Sequence, residues 1–163
     1  VSGCSKFSLG CMHCYAERMA RRLQAMGMPK YAQGFAITLH PELLDLPLHW
    51  RKPRSVFVNS MSDLFHPKVP LGFIQQVFAI MGMAHWHRFQ ILSKRAERLA
   101  ELSPHLDWHP NVWMGITVEA AQYRHRIDLL RRCGAAGKFI SIEPMLESIP
   151  ELDLTGIDWV IVG

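Results

Sequence analysis

Three cysteines sit within eleven positions near the amino end, as Cys4-x6-Cys11-x2-Cys14, and the chain has only one other, Cys133. Two thiols spaced as in Cys11-Met12-His13-Cys14 can reach one metal, and Cys4 can fold back through a turn at Gly10 as a third. Soft thiolates suit an iron–sulfur cluster or zinc. A closed zinc site takes four ligands. His13 lies between two of the cysteines, where simultaneous ligation is awkward, and Cys133 is distant. An electron-transfer 4Fe–4S cluster normally uses four cysteines. Three would leave one iron open to a small molecule. The plainer alternatives are three ordinary buried thiols, or a disulfide with one thiol to spare. Cys133, at a helix end, reads as a plain thiol.

A second set of polar residues follows apolar, strand-like runs. Residues 56–58 lead into Asn59, Ser60, Ser62 and Asp63; residues 89–92 into Ser93, Lys94 and Arg95; residues 112–116 into Thr117 and Glu119; residues 139–142 into Glu143. In parallel α/β folds the loops after the strands open at one end, and sites are built there. Four such strands would bring Asn59, Asp63, Lys94, Glu119 and Glu143 to one mouth. The competing explanation is that polarity returns wherever a strand ends and a helix is capped.

The elements that must position these residues follow from periodicity. Ala16, Met19, Ala20, Leu23 and Met26 recur at helical spacing before a stop at Gly27, with Arg18, Arg21 and Arg22 as a solvated face. Strands are expected at residues 35–39, 55–58, 89–92, 112–116, 139–142 and 159–162. Helices are expected after Pro70, over residues 96–102 and over residues 120–133. Most of these strands are continuous apolar runs, as when helices cover a sheet. The alternation predicts a parallel-stranded α/β domain over residues 1–163: a partial (β/α) barrel, or an open doubly wound sheet. The stretch after Glu143 shows no clear helix. Gly115 is expected either to let a ligand approach or to serve packing. His85, His87, His105 and His109 read as structural or exposed.

Composition narrows the function. No apolar run approaches the ~20 residues of a membrane span, and no repeat or low-complexity segment is present. The formal charge of +4 permits an anionic partner without demanding one. Nine methionines point to a Met-rich core. No phosphate loop, dinucleotide fingerprint, Gly-x-Ser-x-Gly or His-Glu-x-x-His occurs. Val1 and the apolar run ending at Gly163 read as the interior of a longer chain. The absence of a disulfide-like cysteine pattern points to a reducing, cytoplasmic compartment.

An ordered set of motifs adds a resemblance. Gly3-Cys4-Ser5-Lys6, the run from Gly10 to Ala20, Leu39-His40-Pro41, the run from Val58 to His66, the run from Leu92 to Arg98, Gly115-Ile116-Thr117-Val118-Glu119 and Ser141-Ile142-Glu143-Pro144 occur in this order. Together they resemble the phage gene-product 37/68 family, which is itself similar to radical S-adenosylmethionine enzymes. The resemblance implies a partial (β/α) barrel and a 4Fe–4S cluster held by Cys4, Cys11 and Cys14. It also implies S-adenosylmethionine on the open iron. Tyr15, Asn59, Ser60 and Asp63 would help to bind the cofactor, and Lys94, Glu119 and Glu143 would serve catalysis. Tyr15, after the last cysteine, resembles the variant in spore photoproduct lyase. The chain departs from the usual Cys-x3-Cys-x2-Cys spacing, and His13 stands where an aromatic residue is usual. The expected substrate class is a nucleic acid or nucleotide. The other function considered is a non-enzymatic zinc or cluster module that contacts nucleic acid or protein.

Overall fold

The computed structural model describes residues 1–163. Its centre is a five-stranded parallel sheet, in the order β1 Ser55–Val58, β2 Arg88–Ser93, β3 Val112–Thr117, β4 Gly137–Ile142 and β5 Trp159–Val162. Each strand pairs with its sequence neighbour, with Val58 opposite Ile91, Leu92 opposite Gly115, Ile116 opposite Ile140 and Ile142 opposite Val162. The strand order never reverses. Right-handed crossovers then place the connecting helices on one face, and the sheet curls into a half-barrel. A doubly wound sheet needs a reversal of strand order, so the open-sheet alternative falls.

Alternation along the strands assigns the two faces. Val112, Met114 and Ile116 of β3, with Ile140 and Ile142 of β4, join the buried cluster under the helices α2 (Leu71–Met83), α3 (Ala96–Leu102) and α4 (His125–Arg131). The alternate residues Trp113, Gly115, Phe139 and Trp159 belong to the concave face. There, large rings oppose glycines: a Cβ on Gly115 would overlap the Phe139 ring, and one on Gly137 would overlap Trp113. Gly115 is therefore a packing residue, which decides between its two expected roles.

Most elements fall where periodicity puts them. Helix α1 spans Tyr15–Ala25 and ends in a left-handed Gly27 (φ 72°), whose N–H donates to Gln24 O at 2.9 Å. This is the conformation glycine takes after a helix. Pro70 caps α2, where its missing N–H costs nothing. The link from β4 to β5 carries no helix.

Four expectations are corrected. Residues 35–39 form no strand: the chain turns through Gly34 (φ 61°) and only Thr38 pairs, antiparallel, with Ser2. Ile37 and Leu39 are apolar because they pack against the core cluster. The helix expected over residues 120–133 is a short turn at Ala121–Tyr123 followed by α4. Arg126 in that helix donates back to the Thr117 carbonyl at 2.8 Å. The methionines do not make the core: Met81 and Met114 are buried, but Met12, Met19, Met26, Met28, Met83 and Met145 are exposed. On α1 the buried stripe is reduced to Ala16 and Ala20, and Met19 and Met26 face solvent.

Gly115→Ala should destabilise the fold by about 1–3 kcal/mol, the usual cost of overpacking, because the Phe139 ring is fully buried and must move. Urea unfolding should show a lower midpoint at unchanged slope.

Candidate functional site

The carboxyl ends of the strands form one mouth, and the cysteine-bearing segment lies across it. Two buried polar nodes build the mouth.

The first node joins β1 to β2. After β1 the chain reverses through Asn59, which takes a left-handed conformation (φ 68°) that asparagine tolerates. Asn59 Nδ2 donates to Ser62 Oγ at 2.6 Å. Asp63 then turns inward and is buried. It accepts from Phe65 N at 3.0 Å, Ser93 Oγ at 2.8 Å and Lys94 N at 3.3 Å, and Arg95 Nε lies 3.7 Å from its Oδ2. Burial pushes the Asp63 carboxyl up, against the pull of these donors and of Arg95.

The second node follows β3. Glu119 is 0% exposed and Arg126, beside it, is 2% exposed. Arg126 NH1 donates to Glu119 Oε2 at 2.8 Å, and its guanidinium lies 3.9 Å from the Tyr123 ring centroid. Lys94 Nζ stands 3.7 Å from Glu119 Oε1, with its side chain 23% exposed. One buried carboxylate thus faces two cations. Removing a member of such a set leaves an uncompensated buried charge.

The segment from Gly3 to Cys14 is fastened to both nodes. Gly3 bridges Ser62. Ser5 Oγ bonds His66 Nε2 at 2.7 Å, and Arg95 NH2 donates to Ser5 O and to Ser5 Oγ, each at 3.2 Å. The Phe7 ring lies over two guanidinium groups, at 4.5 Å from Arg95 and 5.5 Å from Arg126. Ser8 Oγ donates to Glu119 Oε1, and Leu9 N donates to Tyr123 OH at 3.3 Å. Gly10 passes so near Glu119 and Pro144 that a Cβ would lie 3.1 Å from Glu119 Oε1 and 3.0 Å from Pro144 Cδ. Tyr15 OH donates to Ser60 O at 2.5 Å.

All four cysteines are free. Cys4, Cys11 and Cys14 are half-buried in this strap, and Cys133 is buried. The Cys4 Sγ–H donates to Ser5 O at 3.5 Å; burial, then the Asp63 charge, pushes this thiol up to about 11. Cys11 closes a short turn and lies 3.9 Å from Ser8 Oγ. Cys14 is the N-cap of α1, where unpaired backbone N–H groups face outward. No three His, Cys, Asp or Glu side chains stand close enough together to hold a metal ion. By donor type the strap would suit a thiophilic metal or cluster, with three unpaired soft thiols partly open to solvent, but these are not gathered around one point.

The residues expected at the site therefore differ in kind. Lys94, Glu119, Asp63 and Asn59 converge at the mouth. Glu143 is exposed there and makes no side-chain hydrogen bond. Ser60 contributes its carbonyl. Asp63 and Glu119 are buried, and they position other groups. Sequence reasoning missed Ser5, Phe7, Ser8, Tyr123 and Arg126, and no spacing rule marks them. His87 proves structural: its Nδ1 accepts from Arg54 N at 3.1 Å and its Nε2 lies 3.0 Å from Pro47 O. An apolar cavity of about 270 Å³ lies between β1, α2 and residues 41–50, on the other side of β1, with Asn59 at its edge.

Fold and site together define a parallel half-barrel α/β protein whose mouth is spanned by a three-cysteine strap. Over residues 1–163 the chain belongs to the family described as "Protein of unknown function (DUF5131)". Neither curated proteins nor solved structures gave a match. No helix is long and apolar enough to cross a membrane.

Glu119→Gln should cost about 3–5 kcal/mol of stability, the usual effect of stranding one half of a buried pair. The double variant Glu119→Leu/Arg126→Met should recover most of that loss in urea unfolding. His66 gives a pH test. Burial, then the Arg95 charge, holds it below its ordinary 6.5, and its Nδ1 accepts from Lys68 N. The unfolded chain then takes up a proton that the folded chain refuses, so stability falls as pH drops below about 6.5. His66→Gln should lessen that fall in the urea midpoint, and buried His40, held low in the same direction, should account for part of what remains.

Proposed function

We propose that this chain is an iron–sulfur protein of radical S-adenosylmethionine type, with Cys4, Cys11 and Cys14 as the ligands of a 4Fe–4S cluster. The observation that supports it is the strap: all three cysteines lie on one segment laid over the mouth of a parallel half-barrel and fastened to residues after β1, β2 and β3. Cys4, Cys11 and Cys14 would hold a cluster that would supply one-electron reducing chemistry toward S-adenosylmethionine, the hard step that a cofactor carries.

The protein's own residues orient and screen. Lys94 offers a cation to a carboxylate at the mouth, with Glu119 holding its ammonium in place. Glu143 is a free carboxylate for an amine or a ribose hydroxyl. Tyr15, Asn59 and Ser60 border the cofactor, and Asp63 fixes Ser93 and Lys94 behind it. Phe7 keeps water from the two arginines. Lys6, Arg18 and Arg22 are exposed around the strap and first helix. They suit an anionic substrate, a nucleic acid or nucleotide. A reducing, cytoplasmic setting belongs to the same reading, since such clusters and free thiols persist there. The phage gene-product and radical-enzyme kinship rests on the motifs quoted above.

The test is anaerobic reconstitution with iron and sulfide, followed by iron and zinc counts. The expected result is about four irons per chain with cluster absorption. Cys4→Ala, Cys11→Ala and Cys14→Ala should each lose most of the iron, and Cys133→Ala should keep it. One zinc and no iron would replace the radical mechanism by a zinc-ordered module that contacts nucleic acid or protein.

A further inference from the structure

Arg95 Nε is the one buried side-chain nitrogen or oxygen without a hydrogen-bond partner. Arg95 is only 6% exposed. An orphaned buried donor carries a cost comparable to a lost hydrogen bond, so its retention calls for a partner in another state of the protein. Asp63 is not that partner: its Oδ2 is 3.7 Å away, beyond hydrogen-bonding range, and its oxygens already accept from Phe65, Ser93 and Lys94.

Cys4 lies beside the same guanidinium. Arg95 NH2 donates to Ser5 O, and the Cys4 Sγ–H donates to that same carbonyl oxygen. The guanidinium and the thiol thus meet at one atom. As a ligand, Cys4 has lost its proton. A thiolate cannot donate to Ser5 O, and it needs donors of its own. The guanidinium is held in place by Phe7 and Ser5, and its buried Nε–H is uncommitted.

We infer that Arg95 is a positioning residue for the metal-bound state, donating Nε–H to the Cys4 thiolate and setting the stability and potential of the bound group. This rests on the ligand role of Cys4 proposed above. Partners of metal ligands typically contribute 10–100-fold to metal affinity, and hydrogen bonds to the sulfurs set cluster potentials.

The experiment uses the iron-reconstituted protein, with Arg95→Met and the double variant Asp63→Asn/Arg95→Met. The double variant avoids a buried, unpaired carboxylate and removes one charge of each sign, so its effect reads the lost donor rather than net charge. Folding is checked by circular dichroism. Both variants should load iron, lose it to a chelator about 10-fold faster than the parent, and show a lower midpoint potential. A fully loaded, folded double variant with the parent's potential and iron-loss rate would overturn the inference and leave the cluster reading intact. A parent protein that takes up no iron would overturn both.

Discussion

The Glu119–Arg126 pair is the constraint on which the mouth depends. A carboxylate and a guanidinium, both fully withdrawn from water, must find all their partners inside the protein. Glu119 finds Arg126, Lys94 and Ser8; Arg126 finds Glu119, the Thr117 carbonyl and the Tyr123 and Phe7 rings. Those partners come from the amino-terminal strap, the end of β2, the end of β3 and α4. None of them can move far without exposing the others to an unmet charge. The strap is held over the mouth by this electrostatic closure more than by apolar contact, since Phe7 and Leu9 remain exposed.

The second node works in the same way at smaller scale. Asp63 is shared by its own loop and by the exit of β2, and Arg95 reaches from it to the strap. Two nodes, one on each side of Lys94, leave that lysine as a partly accessible cation between them. This division of labour separates residues that build the mouth from residues that face it. Asp63, Arg95, Glu119 and Arg126 are buried; Lys94, Glu143, Tyr15 and the three cysteines have some access to solvent.

The strands of the sheet were legible because continuous apolar runs such as Val112–Thr117 have no other use in a chain of this size. Their polar successors were legible too, since a parallel sheet gathers strand ends whatever the side chains do. Residues 35–39 misled because a partly buried loop and a strand both need alternate apolar positions. The methionines misled because composition carries no information about which face of α1 a side chain takes. Arg126 was hidden in an ordinary helical pattern. Its burial follows from Glu119, seven positions away across a turn, and only the folded chain brings the two together.

The exposed methionines give the strap a chemical character of its own. Met12 lies between two of the cysteines and is 60% exposed, Met145 follows Pro144 beside the mouth, and Met19 and Met26 continue along α1. Thioethers on a surface accept oxygen from peroxide and become polar sulfoxides. Met81 and Met114 are shielded in the core. Exposure to oxidants therefore rewrites the rim of this protein, turning a soft apolar border polar, and leaves the half-barrel beneath it untouched.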